Sequence, residues 1–226
     1  MTKGHLHPLT LFGRLTVATL ADMGFTTADY PEIETEWYNF DGLNVPKDHP
    51  ARDVQDTFFT SDGRVLRTHC STVQLRYPEA HQPPFRVVQL GRSFRNEATD
   101  ATHEAVFHQL DAVAVDKGIT MGNLIDTQER FIKAIFGSKQ EYRFVPSFFP
   151  FVEPGLEVHL KFKGNWLEMW GAGMVHPNVF KNMKVDPDQY SGFAFGMGVE
   201  RLAMLYYGVD DIRSFLSGDL RLISQF

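Results

Sequence analysis

Apolar residues recur with helical spacing from His7 to Met23, where Leu9, Phe12, Leu20 and Met23 share one side and Gly24 follows. That pattern predicts an amphipathic helix closed by a glycine. A second helix is predicted over Ile119 to Phe136, because Leu124, Gln128, Phe131, Ile132, Ile135 and Phe136 leave an apolar stripe that stops at Gly137. Between the two the period changes. Gly91 to Val115 reads as two antiparallel strands joined by a polar loop, with Phe107, Gln109 and Asp111 on one side of the second strand and His108, Leu110 and Ala112 on the other. Arg95 and Glu97 share a side near the end of the first strand.

The remaining stretches follow the same logic. Pro31 opens an extended segment over Glu32 to Phe40, Asp41 to Asp56 is a loop, and Asp62-Gly63 turns a hairpin between Thr57 to Phe59 and Arg64 to Thr68. Ser71 to Arg76 is a short helix and Tyr142 to Phe144 a strand. A third hairpin runs from Glu157 to Phe162, turns at Gly164-Asn165 and returns through Trp166 to Trp170, with Trp166, Glu168 and Trp170 on one face. Ser191 to Tyr207 reads as a glycine-punctuated strand passing directly into a helix closed by Gly208. Runs of strands with a few helices predict an α+β chain, an antiparallel sheet flanked by helices.

Composition narrows the class. The 226 residues suit one domain, 1–226, and 43% hydrophobic with 22% charged residues is ordinary for a globular chain. No apolar run approaches the roughly 18 residues of a membrane span, so no membrane partner is expected. Cys70 stands alone, which excludes an internal disulfide and a multi-cysteine zinc site and makes a cytoplasmic setting the expectation. With a net charge of −6 and no basic run, the chain lacks the footprint of a protein that grips nucleic acid unaided. His5 with His7, and His103 with His108, have no cysteine partners for zinc. Ser71 lies near His69, but no glycine-flanked elbow surrounds it as a hydrolase nucleophile requires.

The chemistry collects in the central hairpin. A cation, two acids, an amide and an aromatic on one sheet face suit a polar ligand, although a solvated hairpin accounts for the pattern equally well. Gly196-Met-Gly198-Val-Glu200-Arg201 sets two glycines before a helix with an arginine in its first turn, which lets another group approach the backbone. It is neither a dinucleotide fingerprint nor a phosphate loop, and as a bare pattern close strand-to-helix packing explains it.

Read together, the pieces resemble the class II aminoacyl-tRNA synthetases at all three motifs of that class. The phrases at 32–53, LRTHCSTVQLR at 66–76, DATHEAVFHQLDAV at 100–113, FFPFVEPG at 148–155, WLEMWGAGMVHPNV at 166–179 and YSGFAFGMGVERLAMLYYGVDDIR at 190–213 are similar to the α subunits of bacterial phenylalanyl-tRNA synthetases. The resemblance implies the class II catalytic fold, with the helix through Met23 and the strand from Pro31 as the subunit-contact motif. It further implies activation of L-phenylalanine by ATP with Mg²⁺, then transfer to tRNA(Phe).

Each role carried over fits elementary chemistry. Arg95 would hold the α-phosphate and the attacking carboxylate, while Arg201, beside Gly198, would reach the far phosphate and cover one face of adenine. Phe107 would stack on the other face and Glu97 would accept from the adenine amino group. Glu168 is the candidate Mg²⁺ ligand, against the reading that it is a solvated edge residue. The resemblance sets His69, Ser71, Gln74, Gln109 and Asp111 around the ammonium and carboxylate of the amino acid. Phe149, Phe151 and Val152 would wall its side-chain pocket. Gly171, Gly173, Ala194 and Gly196 would leave it room.

Departures from the family qualify the expectation. A chain without the N-terminal helical arm, anticodon-binding domain or editing domain is expected, Asp111 stands where the family usually has glutamate, and the bulky Trp170 precedes Gly171. Three readings follow: a minimal catalytic core that makes phenylalanyl adenylate, a free-standing paralogue serving another acceptor, and a non-catalytic module on the same fold. The presence of Arg95, Glu97, Phe107 and Arg201 weighs against the third, and the first is favoured. A homodimer through residues 8–40 is expected, or a β subunit in its place.

Overall fold

The computed structural model describes residues 4–96, 98–100 and 104–226. Helix α1 covers Pro8–Ala21, with the His7 ring accepting the Leu9 N–H at its start, and it buries Leu9, Phe12 and Leu20. Short strands β1 (Thr26–Thr27) and β2 (Ile33–Glu34) follow, then a helical turn α2 (Glu36–Asn39), strand β3 (Val65–Leu66) and a turn α3 (Val73–Arg76). The central hairpin is β4 (Phe85–Phe94) with β5 (Val106–Asp116). After it come α4 (Met121–Phe136), strands β6 (Tyr142–Phe149), β7 (Val152–Phe162) and β8 (Asn165–Val175), and helix α5 (Pro177–Asn182). Strand β9 (Ser191–Gly198) runs straight into α6 (Val199–Tyr207), and two turns, α7 (Arg213–Leu216) and α8 (Leu220–Ile223), end the chain.

Seven strands form one sheet in the order β1-β4-β5-β9-β8-β7-β6, antiparallel throughout except for the β1–β4 pair. One face packs on α1, α4 and α6 through residues such as Phe12, Phe131, Leu202, Leu110 and Phe195. On the other, Val87, Val113, Val175 and Ala194 meet Phe40, Leu43, Val73 and Phe180. This second cover leaves part of the face open. Among the described residues no helix is long and apolar enough to cross a membrane.

Local chemistry explains the helix limits. The Asn123 side chain reaches back to the Thr120 N–H at 2.9 Å, so α4 starts with a capped first turn, and Gly137 at φ 86° ends it. Gly208, at φ 71°, closes α6 with its N–H on the Met204 carbonyl.

Two expectations are corrected. The segment from Glu32 to Phe40 is extended only at Ile33–Glu34 and then coils into α2. The coil brings Asn39 inward, where its amide exchanges hydrogen bonds with the buried Thr68 side chain (3.0 Å) and N–H (3.1 Å). In β8 the register with β7 shifts between Val158 and His159, so Met169 is an extra residue and the alternation reverses there. Trp170 therefore faces α4, donating its indole N–H to Gln128 Oε1 at 2.8 Å and meeting Phe131 edge-on, while Glu168 stays on the open face.

Candidate active site

The open part of the sheet face is a cleft of about 350 Å³. Strand β5 supplies Phe107 and Gln109 to it, and Asp111 sits one step further in, on the same face and only 2% exposed. Opposite them in β9 stand Gly198, paired with Gln109, and Gly196, paired with Asp111. A Cβ at Gly196 would run into Asp111 Oδ1, so the missing side chain is what keeps that oxygen clear.

Between the strands and the segment before α3 lies a set of buried polar atoms without partners. Ser71 donates to Asp111 Oδ2 at 2.6 Å. Asp111 Oδ1, His69 Nδ1, Gln74 Oε1 and Gln109 Oε1 have no hydrogen-bond partner among the described residues. A buried polar atom left alone costs on the order of 1–3 kcal/mol, and several converging on one space are chemistry prepared for a polar ligand. Burial pushes the Asp111 carboxyl up to about 6, against the pull of Ser71, Gln109 and the Arg95 and Arg67 guanidiniums. Burial also drives His69 down to about 3, with Arg95 adding to the effect, so the ring is neutral.

One end of the cleft is aromatic. The Phe149 and Phe151 rings lie 6.1 Å apart and nearly parallel, and Val152 and Ala194 complete the wall. Glycines are required behind it: a Cβ at Gly171 would come within 2.7 Å of the Phe149 ring, and one at Gly173 within 2.7 Å of the Val152 side chain. Gly171 lines the cavity, whereas Gly173 sits behind Val152.

The other end is cationic. The Arg95 guanidinium lies 4.9 Å from the Phe107 ring centre, and its Nε donates to the Thr68 carbonyl at 3.2 Å. Arg201, in the first turn of α6, lines the same end, and its buried Nε has no partner among the described residues. Glu168 opens onto the cleft, and so do Glu104 and Glu200. Among the described residues no group of three or more His, Cys, Asp or Glu could enclose a metal ion. Magnesium, however, keeps waters and takes one or two carboxylates plus phosphate oxygens, so Glu168 on this cleft fits that ion.

Thus His69, Ser71, Gln74, Arg95, Phe107, Gln109, Phe149, Phe151, Val152, Glu168, Gly171, Ala194, Gly196, Gly198 and Arg201 all line one cavity. Glu97 and His103 lie outside the described residues. Sequence reasoning missed Glu104, Met169, Ala172, Phe195, Glu200 and Ile212 as lining residues. Only Glu200 left a signal, as an acid one position before Arg201.

The comparisons agree with this geometry. The model of the tRNA synthetases class II core domain (F) matches residues 1–226. A phenylalanine–tRNA ligase alpha subunit of Synechocystis is 50% identical over 224 residues, covering 99% of this chain and 68% of that protein. The subunit of the same name from Xanthomonas oryzae is 48% identical over 229 residues, covering 99% and 69%. Among solved structures, the pyrrolysyl-tRNA synthetase of Desulfitobacterium hafniense superposes with a TM-score of 0.76 at 20% identity, over 95% of this chain and 75% of that one, a likeness of fold. An antiparallel sheet with a two-ended cleft, matched along its whole length, makes this chain a member of the class II tRNA synthetase core family, among the phenylalanine–tRNA ligase alpha subunits.

Proposed function

We propose that the chain activates L-phenylalanine with ATP, forming phenylalanyl adenylate and pyrophosphate, and passes the phenylalanyl group to tRNA(Phe). The observation that carries this reading is the two-ended cleft, aromatic at Phe149 and Phe151 and cationic at Arg95 and Arg201, with unpartnered polar atoms between. A phenyl ring fills the first end, an ammonium meets Asp111 and Gln109, and the carboxylate points toward Arg95.

A carboxylate oxygen then forms a bond to the α-phosphorus as the bond to the pyrophosphate oxygen breaks. No side-chain nucleophile and no proton transfer are needed. Negative charge accumulates on the phosphate oxygens, and Arg95 neutralises it where it develops. Arg201 holds the far phosphates and, with Phe107, encloses the adenine. Glu168 would hold Mg²⁺, which would supply further neutralisation of the phosphates. A ribose hydroxyl of tRNA next attacks the acyl carbonyl, the bond from that carbon to the phosphate oxygen breaks, and AMP departs with its phosphate taking the hydroxyl proton.

Because the related proteins are named alpha subunits, a β subunit of different sequence is the proposed partner in preference to a second copy. The test is exchange of pyrophosphate into ATP. Phenylalanine should support exchange and leucine should not, and Arg95→Ala should lower the rate about a hundredfold to a thousandfold. Absence of both exchange and ATP binding, with the β subunit present, refutes the reading.

A further inference from the structure

Glu200 has a place that the activation chemistry leaves unused. It is 2% exposed and lies in the first turn of α6. Both carboxylate oxygens accept the His108 main-chain N–H at 2.9 Å, and Oε1 lies 2.7 Å from His108 Nδ1. The topology says why. The β5–β9 ladder ends at the Gln109–Gly198 pair, because β9 becomes α6 at that point. One residue further along β5, the His108 N–H therefore has no strand partner on that side, and a buried orphan donor is costly. The Glu200 side chain takes the place of the strand.

The two residues so joined are the immediate neighbours of Phe107 and Arg201. Those two side chains line the cationic end of the cleft, from different elements whose regular pairing has already stopped. Nothing in the ladder fixes their separation. We propose that the Glu200–His108 contact is a clamp that sets the gap between Phe107 and Arg201, making Glu200 a positioning residue for the adenine of ATP. The inference rests on the function proposed above.

The clamp acts on one substrate only. The aromatic end of the cleft is built from Phe149, Phe151, Val152 and, in β9, Ala194, and Asp111 is held by its ladder pair with Gly196; among the described residues none of these bonds Glu200, so phenylalanine binding is independent of it. Glu200→Gln keeps an oxygen that accepts the main-chain N–H, Glu200→Ala keeps nothing, and His108→Ala loses only the ring contact.

The experiment is equilibrium titration of a fluorescent ATP analogue, beside pyrophosphate exchange, on the wild type and these three variants, each checked for folding by its thermal melt. Glu200→Ala should raise the Kd for the analogue and the KM for ATP about tenfold or more, the loss expected for a hydrogen bond to a charged group. The KM for phenylalanine should move less than about threefold on the same scale. Glu200→Gln should stay near wild type, and His108→Ala should fall between the two.

Equal rises in both KM values would overturn the clamp. So would Glu200→Gln behaving like Glu200→Ala with a shifted Mg²⁺ requirement, which would make Glu200 a metal ligand. Should Glu200→Ala melt before it can be titrated, His108→Ala with wild-type ATP affinity overturns the proposal and a weakened one supports it. A wild-type protein that neither binds the analogue nor exchanges pyrophosphate fails the proposed function instead, and that is read before any variant.

Discussion

Asp111→Asn should gain stability relative to the wild type as pH rises toward neutrality in the empty protein, and should make the enzyme worse. The wild-type carboxyl titrates at about 6 in the fold against 3.8 when free, because burial penalises its charged form. A folded value raised above the unfolded one means that this group's contribution to stability is fully present below the unfolded value and is lost as pH rises through the folded one. About two units of difference correspond to about 3 kcal/mol over the whole range, of which about half falls between pH 5 and pH 8.

Asparagine has no such titration. Its amide can still accept the Ser71 hydroxyl, now 2.6 Å from Asp111 Oδ2, and its unpaired N–H adds a cost of about 1–3 kcal/mol that is the same at every pH. The stability of the variant minus that of the wild type should therefore rise by about 1.5 kcal/mol from pH 5 to pH 8. Urea unfolding of both proteins without ligand measures it, and every other titrating group cancels in the difference. A difference that is flat or falling over that range refutes the reasoning. In activity the order reverses: kcat/KM for phenylalanine in the wild type should fall about tenfold per pH unit below about 6, and Asp111→Asn should be low throughout.

Three further outcomes follow from the same geometry. Gly171→Ala sets a methyl group 2.7 Å from the Phe149 ring, so it should raise the KM for phenylalanine and cost about 1–3 kcal/mol in unfolding experiments; an unchanged KM would mean the wall yields freely. Trp170→Phe removes the donor to Gln128, whose Nε2 is already without a partner among the described residues, and should cost about 1–3 kcal/mol of stability with the KM for phenylalanine unmoved. Tyrosine should be activated only about a hundredfold less efficiently than phenylalanine, because an apolar wall of Phe149, Phe151, Val152 and Ala194 rejects an added hydroxyl poorly. Discrimination of about ten-thousandfold or more in the exchange assay would point to a polar group near Ala194.

Much of the fold was legible because its signals are local. The stripe of α4, the face of β5 that carries Phe107, Gln109 and Asp111, and the direct passage of β9 into α6 all follow from periodicity and glycine placement. Strands β6 and β7 run longer than their patterns suggested. Pro146 is tolerated on the edge strand and Pro154 within an irregular register, the two settings where a missing N–H does least harm.

What could not be read was set by distant partners. Trp170 shares a parity with Glu168, and only the extra residue Met169, a property of the pairing with β7, turns it to the opposite face. Its bulk therefore packs on α4. The coil at Glu36–Asn39 depends on Thr68, 29 residues away in sequence. Glu200 is addressed to a main-chain N–H 92 residues before it, and no motif of side chains announces such a partner.

The most direct test of the central claim is a crystal structure with a non-hydrolysable sulfamoyl analogue of phenylalanyl adenylate. The account predicts the phenyl ring against Phe149 and Phe151, the ammonium on Asp111 Oδ1, and the adenine between Phe107 and Arg201. An analogue bound outside this cleft, or one whose adenine lies at the aromatic end, would contradict it.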